Sequence, residues 1–267
     1  WGGWIPDFQY RYLPQMFTQQ QIDKFESVYG TVARNAPVII LSSRMAQEDF
    51  RHFFPEAASR STVMSFISYL EPSWFAFNPE EIQKKYDLPD RFFLVSNQFW
   101  KHKDHGTLVE ALGVLKERGV RPVVVCTGSV DEHAGEYFKK IIARISELGL
   151  NENVRILGLI PRVDQIQLMR RSLAVIQPSL FEGWSTVVED ARSLGKPILL
   201  SDFPVHLEQN PPFGHFFERG NSEQLASLME KTFDMLKPGP DHDQETHAQE
   251  ENEERLVKYG RRFLAIV

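Results

Sequence analysis

The sequence contains a single cysteine, Cys126, among 267 residues, and this scarcity excludes several kinds of protein. A chain with one thiol can form no internal disulfide and no cysteine-based zinc site, and such a composition is typical of a reducing compartment. No apolar run approaches the roughly 20 residues that a membrane helix needs, and no secretory signal is present. We therefore expect a soluble, cytoplasmic protein.

Basic residues are also in deficit. The chain has 30 lysines and arginines against 36 aspartates and glutamates, which gives a net charge of −6. A chain with this balance has no broad basic field to collect a phosphate backbone, so we expect no nucleic-acid partner. An initiator methionine is lacking as well, and Trp1 opens what looks like a strand. We therefore expect the chain to be a piece of a longer protein.

What the sequence does contain, from about residue 90 onward, is a regular alternation of apolar strands and amphipathic helices. Leu108, Leu112 and Leu115, for example, recur at helical spacing. Strands that are apolar on both faces and alternate with such helices are typical of a parallel sheet covered on both sides. We predict a complete Rossmann-like domain over residues 89–236, with its ligand at the carboxyl ends of the strands. The predicted strands are 92–96, 122–126, 154–157, 173–177 and 197–200.

The first ninety residues contain fewer strands than a domain of this class normally has. Three candidates are present, at 4–8, 38–41 and 63–67, whereas a doubly wound domain has about five or six. We therefore predict an incomplete Rossmann-like domain with its linker over 1–88. Residues 237–267 are predicted to be an acidic linker or exposed helix followed by a C-terminal helix that packs on the body.

The most informative segment is 178–202, where a strand is followed by a glycine turn and a short helix. The free N–H groups of a first helical turn favour an anion such as a diphosphate. The carboxylates of Glu182 and Glu189 would repel phosphate but suit sugar hydroxyls. A site that offers amides to a diphosphate and carboxylates to hydroxyls predicts a nucleotide-sugar ligand.

The short helix has a second interpretation. We predict that it begins at Ser185 or Thr186 and ends at Gly195. Thr186 and Glu189 then have the spacing of a capping box, in which the Glu189 carboxylate would only bond backbone N–H groups. The segment alone leaves the capping role and the ligand role of Glu189 both open.

The segment resembles the donor-binding signature of retaining GT-B glycosyltransferases, in particular glycosyltransferase family 4 (glycosyl transferases group 1). In that family two glutamates, usually with seven residues between them, flank a glycine-containing turn, and Gly-x-Pro and an apolar strand follow. Here six residues separate Glu182 from Glu189, one fewer than usual. The resemblance implies an α/β fold of GT-B type, with a complete C-terminal and an incomplete N-terminal Rossmann-like domain. The matching positions are 182–185, 189–191, 195–197 and 201–202.

A second group of candidates lies in the loop after the first strand of the 89–236 domain. In family 4 this loop carries an arginine and, five residues later, a lysine, both directed at the donor phosphates. Lys103 falls on the lysine and Gln98 on the arginine, and we expect Lys101 to replace part of the missing charge. The alternative is a solvated loop with two ordinary lysines.

The resemblance implies further site residues. Gly128, after the second strand, would approach the donor sugar or phosphate, and the backbone near Ile160 would read the base. We expect phosphate contacts from the amides of the turn, whereas the Trp184 side chain could instead be core. In the N-terminal part, Asp7 is placed at the interdomain cleft and is a catalytic hypothesis together with Lys103 and Glu182. The residues of the turn proposed to bind the donor are Gly183, Trp184, Ser185 and Thr186.

The same loop contains His102 and His105 with Asp104 between them. A His-x-x-His pair without further ligands is a weak metal signal, and Asp104 fits better as the N-cap of the following helix. We therefore predict no metal and no cofactor.

The resemblance implies a retaining, metal-independent hexosyltransferase that moves a sugar from a nucleotide-diphosphate donor to a carbohydrate or glycolipid acceptor. Any membrane contact is expected to be peripheral and to involve a segment preceding Trp1. The main alternative is a nucleotide-sugar binding module or inactive fragment without transferase activity. A sugar-nucleotide epimerase of the same fold is a further alternative, although no matching acid/base motif is present.

Overall fold

The computed structural model describes residues 2–130 and 135–266. It contains two β-sheets in which every pairing is parallel. The first sheet has three strands in the order β1 (Gly2–Ile5), β2 (Val38–Leu41) and β3 (Ser61–Val63). The second has six, in the order β6 (Val154–Gly158), β5 (Val123–Thr127), β4 (Phe92–Ser96), β7 (Val175–Gln177), β8 (Ile198–Ser201) and β9 (Gly214–Phe217).

Helices connect nearly all of these strands. In the first part of the chain they are α1 (Gln9–Tyr12), α2 (Gln19–Asn35), α3 (Arg44–Phe53) and α4 (Pro79–Lys85). Those of the six-stranded unit are α5 (His105–Glu117), α6 (Gly135–Glu147), α7 (Arg162–Arg171), α8 (Thr186–Ser193), α9 (Pro204–Gln209), α10 (Ser222–Met235) and α11 (His242–Ile266). The predicted α/β class with parallel sheets is confirmed.

The six-stranded sheet is covered on both faces, as its apolar strands predicted. Alternate residues of β4 face opposite sides: Phe93 and Val95 belong to one buried cluster, and Phe92 and Leu94 to the other. All five residues of β4 are buried. A central parallel strand has this property because helices cover both of its faces, so it reads as a continuous apolar run.

Two predicted strands of the first unit are displaced. The strand expected at 4–8 runs over β1 and ends before Pro6, whose ring nitrogen has no hydrogen to donate to a ladder. The strand expected at 63–67 is β3 and ends at Val63. In the second unit, β7 begins at Val175 although the apolar run begins two residues earlier.

The strand order of the larger sheet reverses beside β4. From β4 the chain proceeds to β5 and β6 on one side, whereas β7, β8 and β9 extend on the other. In open parallel sheets, the crevice at the carboxyl ends of the two strands beside such a switch point is where ligands bind. Here that crevice lies between the loop after Ser96 and the loop after Gln177.

The segment between the two sheets is fixed to the second unit by hydrogen bonds. Arg170 on α7 donates to the carbonyl oxygens of Phe75 and Phe77, and Gln167 donates to that of Trp74. Helix α4 also packs on α7. This connection is therefore packed against the second unit and is not a flexible linker.

The acidic stretch after residue 237, for which a linker was one expectation, is the first half of α11. Glu245 is buried and forms a bidentate ion pair with Arg170, with Oε1 lying 2.6 Å from Arg170 Nε. Farther along α11, Asn252 donates to the carbonyl oxygen of Ser68. The helix thus contacts both the second unit and the connecting segment. Within the described residues, no helix is long and apolar enough to cross a bilayer.

Candidate functional site

The turn that follows β7 brings the two units into direct contact. A Cβ atom placed on Gly183 would lie 2.6 Å from Asp7 Oδ2 and 2.9 Å from the carbonyl oxygen of Pro6. Only glycine fits such an approach without a shift of the backbone. The turn is therefore pressed against the segment after β1, and this contact places Asp7 beside Glu182.

Helix α8 begins at Thr186, as expected, and its N-cap is Ser185. The Ser185 hydroxyl accepts from the Val188 N–H, so the cap bond comes from Ser185 and the proposed Thr186–Glu189 capping box is absent. The capping alternative for Glu189 was thus wrong. Its carboxylate lies on another side of the helix, with other partners.

Glu182 and Lys103, both predicted from the sequence, come together at the switch point. Lys103 Nζ lies 2.7 Å from Glu182 Oε1, and their side chains are 16% and 8% exposed. Burial raises the pKa of Glu182, but Lys103 and His206 outweigh it, so this pKa lies below its usual value. Glu182 is therefore held as a carboxylate at neutral pH.

Gln177 at the end of β7 joins the two loops of the crevice. Its Oε1 accepts from Asn97 Nδ2 at 2.8 Å, and its Nε2 donates to Glu182 Oε1 at 2.8 Å and to the Ser185 hydroxyl at 3.2 Å. Because Asn97 must donate to the Gln177 oxygen, the Gln177 amide group is oriented toward Glu182. Sequence reasoning missed this residue, and its polar side chain at the end of an apolar strand was the available signal.

We call the loop after β4, which contains Gln98, Lys101 and Lys103, the lysine loop. Its Gln98 and Lys101 side chains are less constrained than Lys103. Lys101 is exposed and Gln98 is half-buried, and within the described residues neither side chain makes a hydrogen bond. Lys101 and Lys103 belong to one 3-10 turn, which ends at Asp104. Asp104 has a left-handed backbone and accepts from Thr107 N–H as the N-cap of α5, as predicted. Lys101 and Gln98 are thus free to meet a ligand.

Glu189 is fully buried and contacts helices α9 and α11. Arg255 Nη2 lies 2.5 Å from Glu189 Oε2, and Gln209 Nε2 donates to Glu189 Oε1 at 3.1 Å. Arg192, one turn along α8, lies 3.8 Å away. In this structure the Glu189 carboxylate therefore joins α8 to the C-terminal helix.

The neighbouring Asp190, which sequence reasoning did not select, faces a different part of the molecule. Arg162 at the start of α7 contacts both of its carboxylate oxygens, at 2.7 and 2.5 Å, and the Ser68 hydroxyl donates to Oδ1. Arg162 follows Ile160 at the end of β6, in the loop predicted to read the base. Seven residues lie between Glu182 and Asp190, and this spacing was the signal that could have identified Asp190.

The amides of the turn are partly engaged. Ser185 N–H donates to Gln209 Oε1 at 3.1 Å, so a phosphate that used this amide would displace Gln209. Trp184 donates from Nε1 to the Phe66 carbonyl oxygen and packs beside Phe181 and Phe203. Its ring is therefore part of the core between the turn and the connecting segment.

Gly128 directly follows β5, and Ile160 lies two residues after β6. Gly128 has a φ of +138°, and a Cβ there would lie 2.2 Å from the carbonyl oxygen of Asn97. The position therefore requires glycine, and it brings the loop after β5 against the loop that contains Gln98. Ile160 is half-buried and packs on the core below α7.

Asp7 is half-buried, and its Oδ1 accepts from the Gln9 N–H at 2.8 Å. Burial raises its pKa against the lowering effect of this bond, and the nearby Glu182 raises it further. Lys103 acts in the opposite direction and lowers it. Two carboxyl groups and one ammonium group therefore share the contact between the units.

The histidines of the lysine loop are not arranged as metal ligands. His105 stacks on Phe99 with ring centres 4.2 Å apart, and burial lowers its pKa to about 3. Among the described residues, no group of three or more His, Cys, Asp or Glu side chains could hold a metal ion. The described donors of the crevice are instead suited to an organic anion that carries hydroxyl groups.

The sequence is similar to a known protein family and to a named relative. The model of the family Glycosyl transferases group 1 matches residues 78–261. EpsF of Bacillus subtilis strain 168, named as a glycosyltransferase, is 31% identical over 105 residues, which are 39% of this chain and 26% of EpsF.

The fold is shared with solved GT-B glycosyltransferases. Alr3699/HepE of Anabaena, solved with UDP and glucose, has a TM-score of 0.76 at 19% identity over 99% of this chain and 70% of HepE. WaaG, a glycosyltransferase of lipopolysaccharide biosynthesis, has a TM-score of 0.68 at 15% identity over 94% of this chain and 69% of WaaG.

Proposed function

The chain belongs to the Glycosyl transferases group 1 family, and on that basis we propose that it binds a nucleotide-diphosphate sugar in the crevice between β4 and β7. We further propose that it transfers the sugar, with retention, to an acceptor hydroxyl. HepE has been solved with UDP-glucose, so UDP-hexoses are the first donors to test. The observation that carries the proposal is the junction of Lys103, Glu182 and Gln177 at the switch point.

Lys103 is proposed to bind the donor diphosphate, with Lys101 as a second cation. When the bond between the anomeric carbon and the phosphate oxygen breaks, negative charge accumulates on the leaving diphosphate, and a fixed ammonium group stabilises that charge. Gln98 supplies a neutral donor where the family has arginine. In this scheme the chain's own side chains neutralise the diphosphate, and no metal is part of it.

Glu182 is proposed to accept hydrogen bonds from donor sugar hydroxyls. Its lowered pKa keeps it charged, and Gln177 fixes its orientation. A ligand diphosphate would attract Lys103 away from Glu182, which would release one carboxylate oxygen for the sugar. Binding of donor would thus exchange an internal ion pair for two ligand contacts.

Asp190, rather than Glu189, is proposed to bind the ribose hydroxyls. It preserves the seven-residue separation of the family pattern and lies beside Arg162 in the predicted base-reading loop. Both carboxylates are buried and paired. The partners of Asp190 are Arg162 and Ser68, whereas Gln209 and Arg255 hold Glu189 to α9 and α11. The ligand role that the sequence left open for Glu189 therefore has a competitor one residue away.

The transfer itself requires no protein nucleophile. The acceptor oxygen would attack the anomeric carbon on the face that the diphosphate leaves, and its proton would pass to a departing phosphate oxygen. Asp7, at the contact with Gly183, is proposed to orient the acceptor, which we expect to be a carbohydrate or a glycolipid. Its carboxyl group is half-buried, lies against Gly183 and next to Glu182, and has a raised pKa.

A transfer assay tests this proposal. The chain is incubated with UDP-glucose and a panel of sugar and glycolipid acceptors, and products are identified by NMR, which reports the anomeric configuration. We expect UDP release and an α-linked product, both strongly reduced in Lys103→Ala and Glu182→Gln. UDP-glucose binding without transfer to any acceptor would favour the binding-module alternative, and absence of binding would refute the donor site.

A further inference from the structure

A second concave region lies between α11 and the edge of the three-stranded sheet. It consists of two adjoining cavities of about 260 and 430 Å³ that share Val63 and Arg262 in their walls. The larger volume falls in the range of about 300–1,000 Å³ that is typical of small-molecule sites. We call this region the α11 groove.

The groove is placed where the fold favours a ligand. Thr62 and Val63 end β3, and Arg44 opens the helix that follows β2. The groove is therefore at the carboxyl edge of the three-stranded parallel sheet, the edge where ligands of open α/β folds bind. Its lining includes Arg255, the partner of Glu189, but none of Lys103, Glu182 and Gln177.

Cations dominate its walls although the chain as a whole is acidic. Arg44 comes from the first unit, and Lys258 and Arg262 come from the basic end of α11. Lys258 has a partner in Glu254 at 3.3 Å, an exposed pair of little energetic weight. Among the described residues, Arg262 has no ion pair. The groove therefore presents positive charge that the protein leaves largely uncompensated.

One carboxylate, Glu208, also lines the groove, and its charge is already engaged. Its two oxygens accept from the Arg44 N–H at 2.9 and 3.0 Å, at the N-terminus of α3. The Arg44 side chain lies 3.4 Å from the same carboxylate. Glu208 thus satisfies the helix end and does not cancel the charge of Lys258 and Arg262.

We propose that the α11 groove binds a small phosphorylated carbohydrate at a site separate from the donor crevice. Arg262 and Lys258 would bind the phosphate, and the Thr62 and Tyr259 hydroxyls would meet sugar hydroxyls. A sugar phosphate matches both the charge and the hydroxyl groups of this lining. This site does not depend on the proposed transferase activity.

The test is a calorimetric titration of the chain with glucose 6-phosphate at constant ionic strength, with glucose as the uncharged control. We expect saturable binding of glucose 6-phosphate and none of glucose. In Lys258→Gln/Arg262→Gln the affinity should fall about tenfold or more, the loss expected for one charge-assisted hydrogen bond. Arg261→Gln is the matched control, because Arg261 is exposed on the same helix and does not line the groove.

Lys103→Met separates this site from the donor crevice. Unchanged affinity in Lys103→Met and Arg261→Gln, together with loss in the double groove variant, supports the proposal. Loss of binding in Lys103→Met would place the sugar phosphate in the crevice and overturn it. Unsaturable binding, or an equal loss in Arg261→Gln, would show non-specific charge attraction and overturn it as well.

Discussion

Replacing Lys103 with methionine leaves the Glu182 carboxylate buried without its cation. The two groups lie 2.7 Å apart, with 16% and 8% of their side chains exposed. Removal of one partner from a buried ion pair costs about 3–5 kcal/mol. Gln177 still donates to Glu182 in this variant, and Lys103 is only partly buried. We therefore expect a loss of about 2–3 kcal/mol in the free energy of unfolding at neutral pH.

The double variant Lys103→Met/Glu182→Gln removes both charges and isolates the pair. Its free energy of unfolding should lie above that of Lys103→Met by about 1–2 kcal/mol, because no buried carboxylate remains uncompensated. Nucleotide binding should behave differently. Both variants lack the ammonium group for the diphosphate, so UDP affinity should fall about ten- to a hundredfold in each.

The pH dependence gives an independent check on the same pair. In the wild type the folded pKa of Glu182 lies below its unfolded value of 4.5, so the pair's contribution is present above that pH and is lost as the pH falls. In Lys103→Met burial acts without the lysine, and we expect the folded pKa to rise above the unfolded one. The destabilisation should then be largest near neutral pH and shrink as the carboxylate protonates.

Urea unfolding of the three proteins at about pH 7.5 and about pH 5 measures these differences. The reasoning about the pair is refuted if Lys103→Met is as stable as the wild type at neutral pH. It also fails if the double variant is no more stable than the single one, since the penalty then does not come from an uncompensated Glu182.

Three further predictions follow from single contacts. Asp190→Asn should weaken UDP binding about tenfold, whereas Glu189→Gln should leave the affinity within about twofold and lower the thermal midpoint instead. Calorimetry measures the affinities and thermal melts the midpoints. The reverse pattern would identify Glu189 as the ribose contact. Gly183→Ala should destabilise the chain by about 1–3 kcal/mol in urea unfolding because its methyl group collides with Asp7; wild-type stability would show that the contact yields easily. Burial lowers the pKa of Lys196 to about 7, so the unfolded state binds more protons above that pH and the free energy of unfolding should rise toward pH 10. Thermal melts of Lys196→Met at several pH values should lack this rise. The same dependence on pH in Lys196→Met and the wild type would contradict the prediction.

The central strands of the second unit could be predicted because they are buried on both faces, whereas the edge strand β9 is only partly buried and was not predicted. A strand such as 92–96 has to be apolar at every position, and this continuous run is visible in the sequence. The first unit was harder, since the ends of its strands depend on local features such as Pro6. The packing of the acidic start of α11 was not visible, because Glu245 is buried through an ion pair with distant Arg170.

The candidate site was only partly accessible from the sequence. Lys103 and Glu182 could be selected because loops at strand ends and glycine turns carry recognisable residue types, and the structure brings these two side chains together. Glu189 and Asp190 are adjacent on one helix, and consecutive helical residues point about 100° apart. Which of them faces the crevice depends on the rotation of the helix about its axis and on tertiary partners. The alignment of the motif is ambiguous by one residue, so the sequence does not define that rotation. Their ligand roles therefore stay predictions.

The most direct test of the account is a calorimetric titration of the chain with UDP-glucose, alongside Asp190→Asn, Glu189→Gln and Lys103→Met. We predict one saturable site for UDP-glucose in the wild type and a similar affinity in Glu189→Gln. In Asp190→Asn and Lys103→Met the affinity should be lowered about tenfold or more. Absence of binding to the wild type, or equal binding by all four proteins, would contradict a nucleotide-sugar site at the switch point.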